Sequence, residues 1–339
     1  MSVLLTGGAG YIGSHIAVEL LSQGKDVVIF DNFSNASKNV IERIKKISGK
    51  NVKVYEGDIR LSQDLEEVFD NEEIEAVIHL AGLKAVGESV AKPLEYYDNN
   101  ISGTLVLLDA MKKYDVKNII FSSSATVYAA NNGKPFSEND EKGRPTNPYG
   151  WSKWFIEQIL EDLYTCDNSW NIVIFRYFNP IGAHSSGMIG EDPKGIPNNL
   201  LPYVNKVAVG LLPKLMIFGD DYNTKDGTGV RDYIHVVDLA KGHTLGLDVL
   251  KQNNGVSIYN LGRGNGSSVL DIVNTFEKVT GVKINYEIGT RRDGDIDTSI
   301  CDASKANNEL GWTAQFDLAK AIEDGWNWQS NNPNGYEEN

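Results

Sequence analysis

Short apolar runs alternate with segments whose apolar residues recur at helical spacing through the first half of the chain. The runs "SVLLT" (2–6), "VVIF" (27–30), "VKVY" (52–55), "AVIHL" (76–80), "NIIFSS" (118–123) and "NIVIFRY" (171–177) are rich in Val and Ile. Their nearly continuous apolarity predicts strands covered on both faces. Helix-like segments fall near 11–23, 37–48, 62–70, 93–113 and 149–164. This alternation predicts an α/β fold built on a doubly wound parallel sheet.

After about residue 178 the pattern changes. "NPIGAHSSGMIGEDPKGIPNN" is rich in Gly, Pro and Asn, the composition of a long functional loop. Shorter elements follow: a helix near 198–210, strands at "LMIFG" (215–219) and "SIYNLG" (257–262), and helices near 267–280 and 317–329. They predict a smaller α/β C-terminal lobe, 179–339, on the carboxyl edge of a first domain, 1–178, with the chain crossing between the two more than once. No internal repeat is seen. The closing "SNNPNGYEEN" has the composition of a loosely ordered tail.

A chain of 339 residues with 41% hydrophobic content can sustain a large core. A net charge of -14 and a pI near 4.9 argue against non-specific nucleic-acid binding and against an anionic membrane surface. They still allow an anionic ligand met by local Arg and backbone amides. Cys166 and Cys301 stand far apart, which fits a reducing, cytoplasmic setting. No apolar stretch reaches membrane-spanning length, and the N-terminus runs straight into a strand without a signal-peptide pattern. His15, His79, His184, His235 and His243 are scattered without ligand spacing, so structural roles and no metal are expected.

"LLTGGAGYIGSH" follows a strand and opens a helix. Gly7, Gly10 and Gly13 are spaced G-x-x-G-x-x-G, and Gly8, Gly10 and Gly13 also fit G-x-G-x-x-G. Glycine permits a tight turn and a close approach of backbone to pyrophosphate, and the helix start adds free N–H groups. Strand, glycines, helix and second strand arrive in the order a dinucleotide site requires. The second strand ends in Asp31, eighteen residues after Gly13. A carboxylate there accepts ribose hydroxyls and repels a 2′-phosphate. No Arg or Lys follows until Lys38, which favours NAD over NADP. Asp58 and Ile59, after the third strand, either frame an adenine or form a plain turn.

In "NPYGWSKWFIE", Tyr149 precedes Lys153 by four positions, one turn apart on one helix face. Taken alone, the spacing fits an ordinary amphipathic helix. Above a dinucleotide site it acquires chemistry. A free phenol titrates near pH 10 and is a poor base at neutrality. A lysine cation and a positive nicotinamide ring each stabilise phenolate. Lowering the phenol by about three units takes on the order of 4 kcal/mol, within reach of two cations in a partly dry cleft. "FSSSATVY" ends the fifth strand at the sheet's ligand-binding edge. A turn or cap role suits Ser122 and Ser123, which leaves Ser124 to hold a substrate hydroxyl.

These stretches, together with "HLAGLKAVGES" (79–89), "RYFNPIGAH" (176–184), "IPNNLLPYV" (196–204), "GVRDYIHVVDLA" (229–240) and "RRDGD" (291–295), resemble the extended short-chain dehydrogenase/reductase superfamily over nearly the whole chain. Within it they resemble the UDP-glucose 4-epimerase (UDP-galactose 4-epimerase) family. The resemblance implies an isomerase with a Rossmann-type NAD domain. It makes Tyr149 the base, Lys153 its modulator and a ribose ligand, and Ser124 the hydroxyl anchor. It assigns Gly7, Gly10, Tyr11, Ile12, Gly13, Asp31, Asn32, Asn35, Asp58, Ile59, Leu80, Ala81, Gly82, Lys84, Asn99 and Phe178 to the NAD site, along with Ser124, Tyr149 and Lys153. The family usually carries an aromatic where Leu80 stands. Asn179, Asn199, Leu200, Met216, Ile217 and Phe218 would meet the sugar nucleotide, with Phe218 stacked near uracil. Arg231 and Arg292 would clamp the diphosphate and Asp295 would hold the uridine ribose. Fork-shaped guanidinium donors suit such an anion.

The implied reaction is reversible inversion at C4 of UDP-galactose and UDP-glucose, a step of galactose metabolism. Tyr149 takes the 4-hydroxyl proton, the C4 hydride moves to NAD, and the 4-keto sugar turns before both return. The UDP must be held strongly and the hexose weakly. NAD would stay bound, and the family implies a homodimer through helices near 93–113 and 149–164. A 4,6-dehydratase would need an acid and a base after Ser124, where this chain has Ala125-Thr126-Val127. A UDP-glucuronate epimerase is a further alternative, as is a non-catalytic NAD-binding regulator, which typically loses the Tyr or the Lys. Ser299, four after Asp295, would stand at the hexose wall. Its small side chain leaves room for an acetamido group, extending the substrates to UDP-N-acetylglucosamine and UDP-N-acetylgalactosamine.

Overall fold

The computed structural model describes residues 1–129, 133–252, 255–292 and 295–337. Asp293 and Gly294 of the "RRDGD" segment lie outside them, as do the last two residues of the tail. Among the described residues, seven parallel strands form the main sheet. Six come from the first half: β1 (Ser2–Thr6), β2 (Asp26–Asp31), β3 (Lys53–Glu56), β4 (Ile74–His79), β5 (Asn118–Ser124) and β6 (Asn171–Tyr177). The seventh, Val256–Leu261, arrives from far along the chain and pairs with β6. Across the sheet the order is Val256–Leu261, β6, β5, β4, β1, β2, β3. The chain winds one way from β1 to β2 and the other way to β4. The crevice above β1 is therefore the switch point at which such sheets bind ligands.

Successive strand residues serve opposite faces. Leu4, Val28, Phe30, Val77, Ile119, Phe121 and Ile172 pack with residues of the helices Ser62–Asn71, Gly103–Lys113 and Pro148–Cys166. Val3, Leu5, Ile29, Ile78, Ile120 and Phe175 pack with residues of α1 (Tyr11–Ser22), Asn39–Ser48 and Val236–Leu250. The elements predicted from the sequence do not include that last helix, which carries Gly242 and Gly246 in its interior. Packing explains Gly246: a Cβ there would sit 2.8 Å from the Phe175 ring and 3.0 Å from Ile120 Cδ1. The helix lies this close to the sheet only without a side chain.

The single helix predicted over 93–113 is divided. Pro93–Tyr97 leads into a π-helical turn, Asp98–Ser102, and then Gly103–Lys113. Such turns re-aim side chains within a helix and are frequent at functional sites. Here the turn carries Asn99 and the buried Asn100. Asn100 Oδ1 accepts from Leu83 N (2.8 Å), and its Nδ2 donates to Leu83 O and Ser152 Oγ, both at 3.0 Å. One amide thus ties the loop after β4 to the helix Pro148–Cys166.

The later part of the chain forms a separate apolar cluster around Leu201, Val204, Ile217, Ile272, Phe276 and Ile322. Its short strands Asn179–Ile181, Val230–His235, Gly266–Ser268 and Thr298–Ser299 form a second sheet. The tail departs from expectation. Tyr336 is 5% exposed, and its ring lies 4.6 Å from that of Trp328. Its hydroxyl bonds both Gly190 N and Gly190 O at 3.1 Å. Gly335, at φ +73, turns the chain so that Tyr336 N reaches Asp192 Oδ2 at 2.9 Å. A loop-like composition hides one buried aromatic that orders the segment. No helix among the described residues is long and apolar enough to cross a membrane.

Candidate active site

The glycines of the first turn are sterically required. Gly7 has φ +72, and a Cβ on it would meet Ala81 N at 2.7 Å; one on Gly13 would meet Gly7 O at 2.5 Å. Gly10 caps α1 without a side chain, so the first-turn N–H groups are left to a ligand. This backbone-only cradle fits a pyrophosphate. Ile12 packs against the core beside it. Asp31, at the end of β2, accepts from Ala9 N at 3.0 Å and Phe33 N at 2.9 Å. Burial raises its pKa, while those two amides and Lys194 pull it back. Asn32 Oδ1 accepts from Ser34 N and so shapes the same turn. Asp58 accepts from Arg60 N at 3.0 Å and pairs with the Arg60 guanidinium, a turn contact that leaves the adenine role open, while Ile59 is buried against the outer helices. Leu80, Ala81 and Gly82 follow β4 and border the cradle; Asn99 donates to Asn100 Oδ1. Phe178 is buried among Val127, Tyr128 and Phe136.

Asn147 caps the helix Pro148–Cys166 by accepting from Gly150 N at 2.9 Å, and Pro148 presets the first turn. Tyr149, Lys153 and Glu157 then fall on one face, a turn apart each time. Lys153 is buried, its Nζ 6.0 Å from the centre of the Tyr149 ring and 2.6 Å from Ser122 O, to which it donates. Burial lowers the Lys153 pKa to about 7, against an upward pull from Glu157. Burial raises Tyr149, while the Ser124 hydroxyl pulls it down. Protein groups alone therefore keep the phenol protonated. Ser124 ends β5 and its Oγ accepts from Thr126 N at 3.3 Å.

Sequence reasoning passes over the polar cluster beneath these residues. Glu157, fully buried, takes a two-pronged pair from Arg176 at 2.9 and 2.7 Å and a bond from Ser123 Oγ at 2.5 Å. Arg176 also donates to Tyr128 OH (2.9 Å), which donates to Asn260 Oδ1 (2.6 Å). Ser122 and Ser123 are thus anchors for Lys153 and Glu157 rather than caps. Two signals were available: Glu157 stands eight positions after Tyr149, and Arg176 interrupts an otherwise apolar strand. Removing one partner of such a buried pair typically costs about 3–5 kcal/mol.

The remaining candidates come from the later part of the chain. Asp295 sits 3.1 Å from Arg292 Nε, 3.6 Å from Arg231 Nη2 and 3.4 Å from the Tyr222 hydroxyl. The Arg292 guanidinium lies 4.8 Å from the Phe218 ring, which is 42% exposed. Met216 and Phe218 face away from the core, whereas the Ile217 side chain is buried in it. Ser299 is paired in register with Arg231. Asn179 opens a short strand after β6, and Asn199 stands at the cap of the helix that Leu200 begins. Asn199 Nδ2 and Lys84 Nζ both donate to Glu191 Oε1, at 2.6 and 2.9 Å.

This fold and this Tyr-x-x-x-Lys site define an extended short-chain dehydrogenase/reductase. The family model described as GDP-mannose 4,6 dehydratase matches residues 4–325. A UDP-glucose 4-epimerase of Bacillus subtilis is 56% identical over 99% of both chains, and one of Mus musculus is 53% identical over 98% of both. The crystal structure of UDP-glucose 4-epimerase from Bifidobacterium longum, in complex with NAD+ and UDP, superposes with a TM-score of 0.95 at 56% identity, covering 99% of this chain and 100% of that one. The chain belongs to the UDP-glucose 4-epimerase family.

Proposed function

We propose that this protein interconverts UDP-galactose and UDP-glucose at C4 and retains NAD as its cofactor. The observation that carries the reading is the gathering of Tyr149, Lys153 and Ser124 at the carboxyl edge of the sheet, beside a glycine turn that admits only backbone. Asp31 accepts ribose hydroxyls, and the free N–H groups of α1 meet the pyrophosphate. Asn35, Lys84, Asn99 and Phe178 complete the dinucleotide wall. When bound, oxidised NAD supplies a hydride acceptor and a positive ring. The Tyr149 oxygen accepts the 4-hydroxyl proton, holds it, and returns it on the other face of the sugar. Lys153 keeps positive charge beneath that oxygen, and Ser124 orients the hydroxyl.

The grip on the substrate is unequal. Arg231 and Arg292 turn from Asp295 to the diphosphate, and Asp295 takes the uridine ribose. The groups assigned to the hexose, Asn179, Asn199, Leu200 and Ser299, are uncharged, so the keto sugar is free to turn. The small Ser299 also admits acetamido sugars, which turnover of UDP-N-acetylgalactosamine tests. Elimination, the reaction named by the matched family model, lacks a carboxylate at positions 125–127.

In this reading residues 1–178 chiefly hold NAD and 179–339 chiefly hold the UDP-sugar. The protein works as a cytoplasmic homodimer in galactose metabolism. Val90, Leu94, Leu105 and Phe155 support the dimer, as exposed apolar residues on the helices 86–113 and 148–166. The deciding experiment is incubation with UDP-galactose and no added NAD. UDP-glucose should accumulate; its absence from an NAD-loaded preparation would overturn the reading.

A further inference from the structure

The loop between residues 182 and 195 is tied across the crevice above β1. Tyr11, at the start of α1, donates to Gly182 O at 2.7 Å. On the β4 side, Glu191 accepts from Lys84 Nζ at 2.9 Å, and its side chain is 8% exposed. On the β2 side, Lys194 donates from Nζ to Phe33 O at 2.9 Å and from its backbone N to Asn35 Oδ1 at 3.4 Å. The sheet places β1 between β2 and β4. A segment tied to both neighbours passes over the glycine turn that ends β1. Three extended residues cover about 10 Å, and the Glu and Lys side chains add reach. The sequence shows no cation between Asp31 and Lys38; the fold brings Lys194 to that turn from the far half of the chain.

The outer side of this segment is locked by the tail. Tyr336 bonds Gly190 through its hydroxyl and Asp192 through its backbone N. Asn39 holds Tyr336 O at 2.9 Å, and Arg43 holds Met188 O at 3.0 Å.

We propose that residues 190–195 are a strap that retains the dinucleotide. NAD departs only when the Glu191–Lys84 and Lys194–Phe33 ties open, and Tyr336 sets how readily they do. The inference rests on the NAD reading above and adds to it. A ligand under a tied segment cannot escape by losing its own contacts alone. Its release and its entry both carry the free energy of local opening.

The test loads the protein with radiolabelled NAD, chases with excess unlabelled NAD, and follows retained label. Lys194→Ala and Glu191→Gln should each release label about tenfold faster, as expected from losing one charge-assisted hydrogen bond. Tyr336→Phe should release it faster by a smaller factor. NAD entry into the stripped variants should also speed up, which loss of a direct cofactor contact would not produce. On the unmutated protein, amide hydrogen exchange across 189–195 should slow when NAD is bound. Wild-type release rates in all three variants, or exchange indifferent to NAD, overturn the strap and leave the NAD reading standing. A wild-type protein that retains no label overturns both.

Discussion

Burial acts on Tyr149 and Lys153 in opposite chemical senses, raising the phenol and lowering the ammonium. Burial thus favours the neutral phenol and leaves Lys153 partly protonated near pH 7, so that it still supplies positive charge beside Tyr149. Tyr149→Phe keeps the ring and removes the proton carrier. Turnover should fall by about 10²-fold or more, while UDP and NAD still bind; paired rate and binding measurements check this. Lys153 carries a second signature in stability. Unfolded, it titrates near 10.4; folded, near 7. Between those values the unfolded chain holds a proton that the folded chain has lost, so stability rises with pH across the window. Lys153→Met should abolish that rise, at most about 1.4 kcal/mol per pH unit. Denaturant midpoints of NAD-stripped protein at about pH 7.5 and about pH 9.5 should diverge in the wild type and stay closer in the variant.

Elements explain what was and was not legible in the sequence. The strands β1, β2, β4, β5 and β6 are largely buried on both faces, so their pattern survives without context; β3 (Lys53–Glu56), expected to be covered likewise, is a partly exposed edge strand. The glycine turn and Tyr-x-x-x-Lys carry local spacing. The helix Val236–Leu250 was hidden because its glycines answer to residues distant in sequence, Gly246 to Phe175 and Ile120 and Gly242 to Leu261 and Trp312. Glu157 and Arg176 were hidden because a charge pair buried under a helix looks like surface charge until both partners are placed. The π-helical turn at Asp98–Ser102 has no local signature in the residues themselves, since its polar side chains fit an exposed helix equally well. Gly246 yields a prediction at this scale. Gly246→Val forces the helix off the sheet and should destabilise by about 1–3 kcal/mol, read from the denaturant midpoint. A wild-type midpoint would show that the helix can shift without loss.

At the scale of the whole molecule, exposed apolar residues stand on the helices between 86 and 113 and on Pro148–Cys166, and the fold closes late. Leu94 is 81% exposed and Val90 62%, on helices that pack against Pro148–Cys166. On the proposed homodimer, Val90→Glu with Leu94→Glu should yield monomers in sedimentation velocity while the fold persists by circular dichroism. A chain cut after residue 178 should aggregate on expression, because it lacks the helix that covers Phe175 and the strand that pairs with β6. The late arrival of Val236–Leu261 also has a meaning during synthesis. A growing polypeptide that has emerged as far as β6 exposes an open strand edge and an uncovered apolar face, and must hold both until residue 261 clears the ribosome. The codons between 178 and 261 therefore span the interval of greatest adhesiveness. Translation speed there, more than the stability of the finished protein, should govern how much of the chain needs a chaperone.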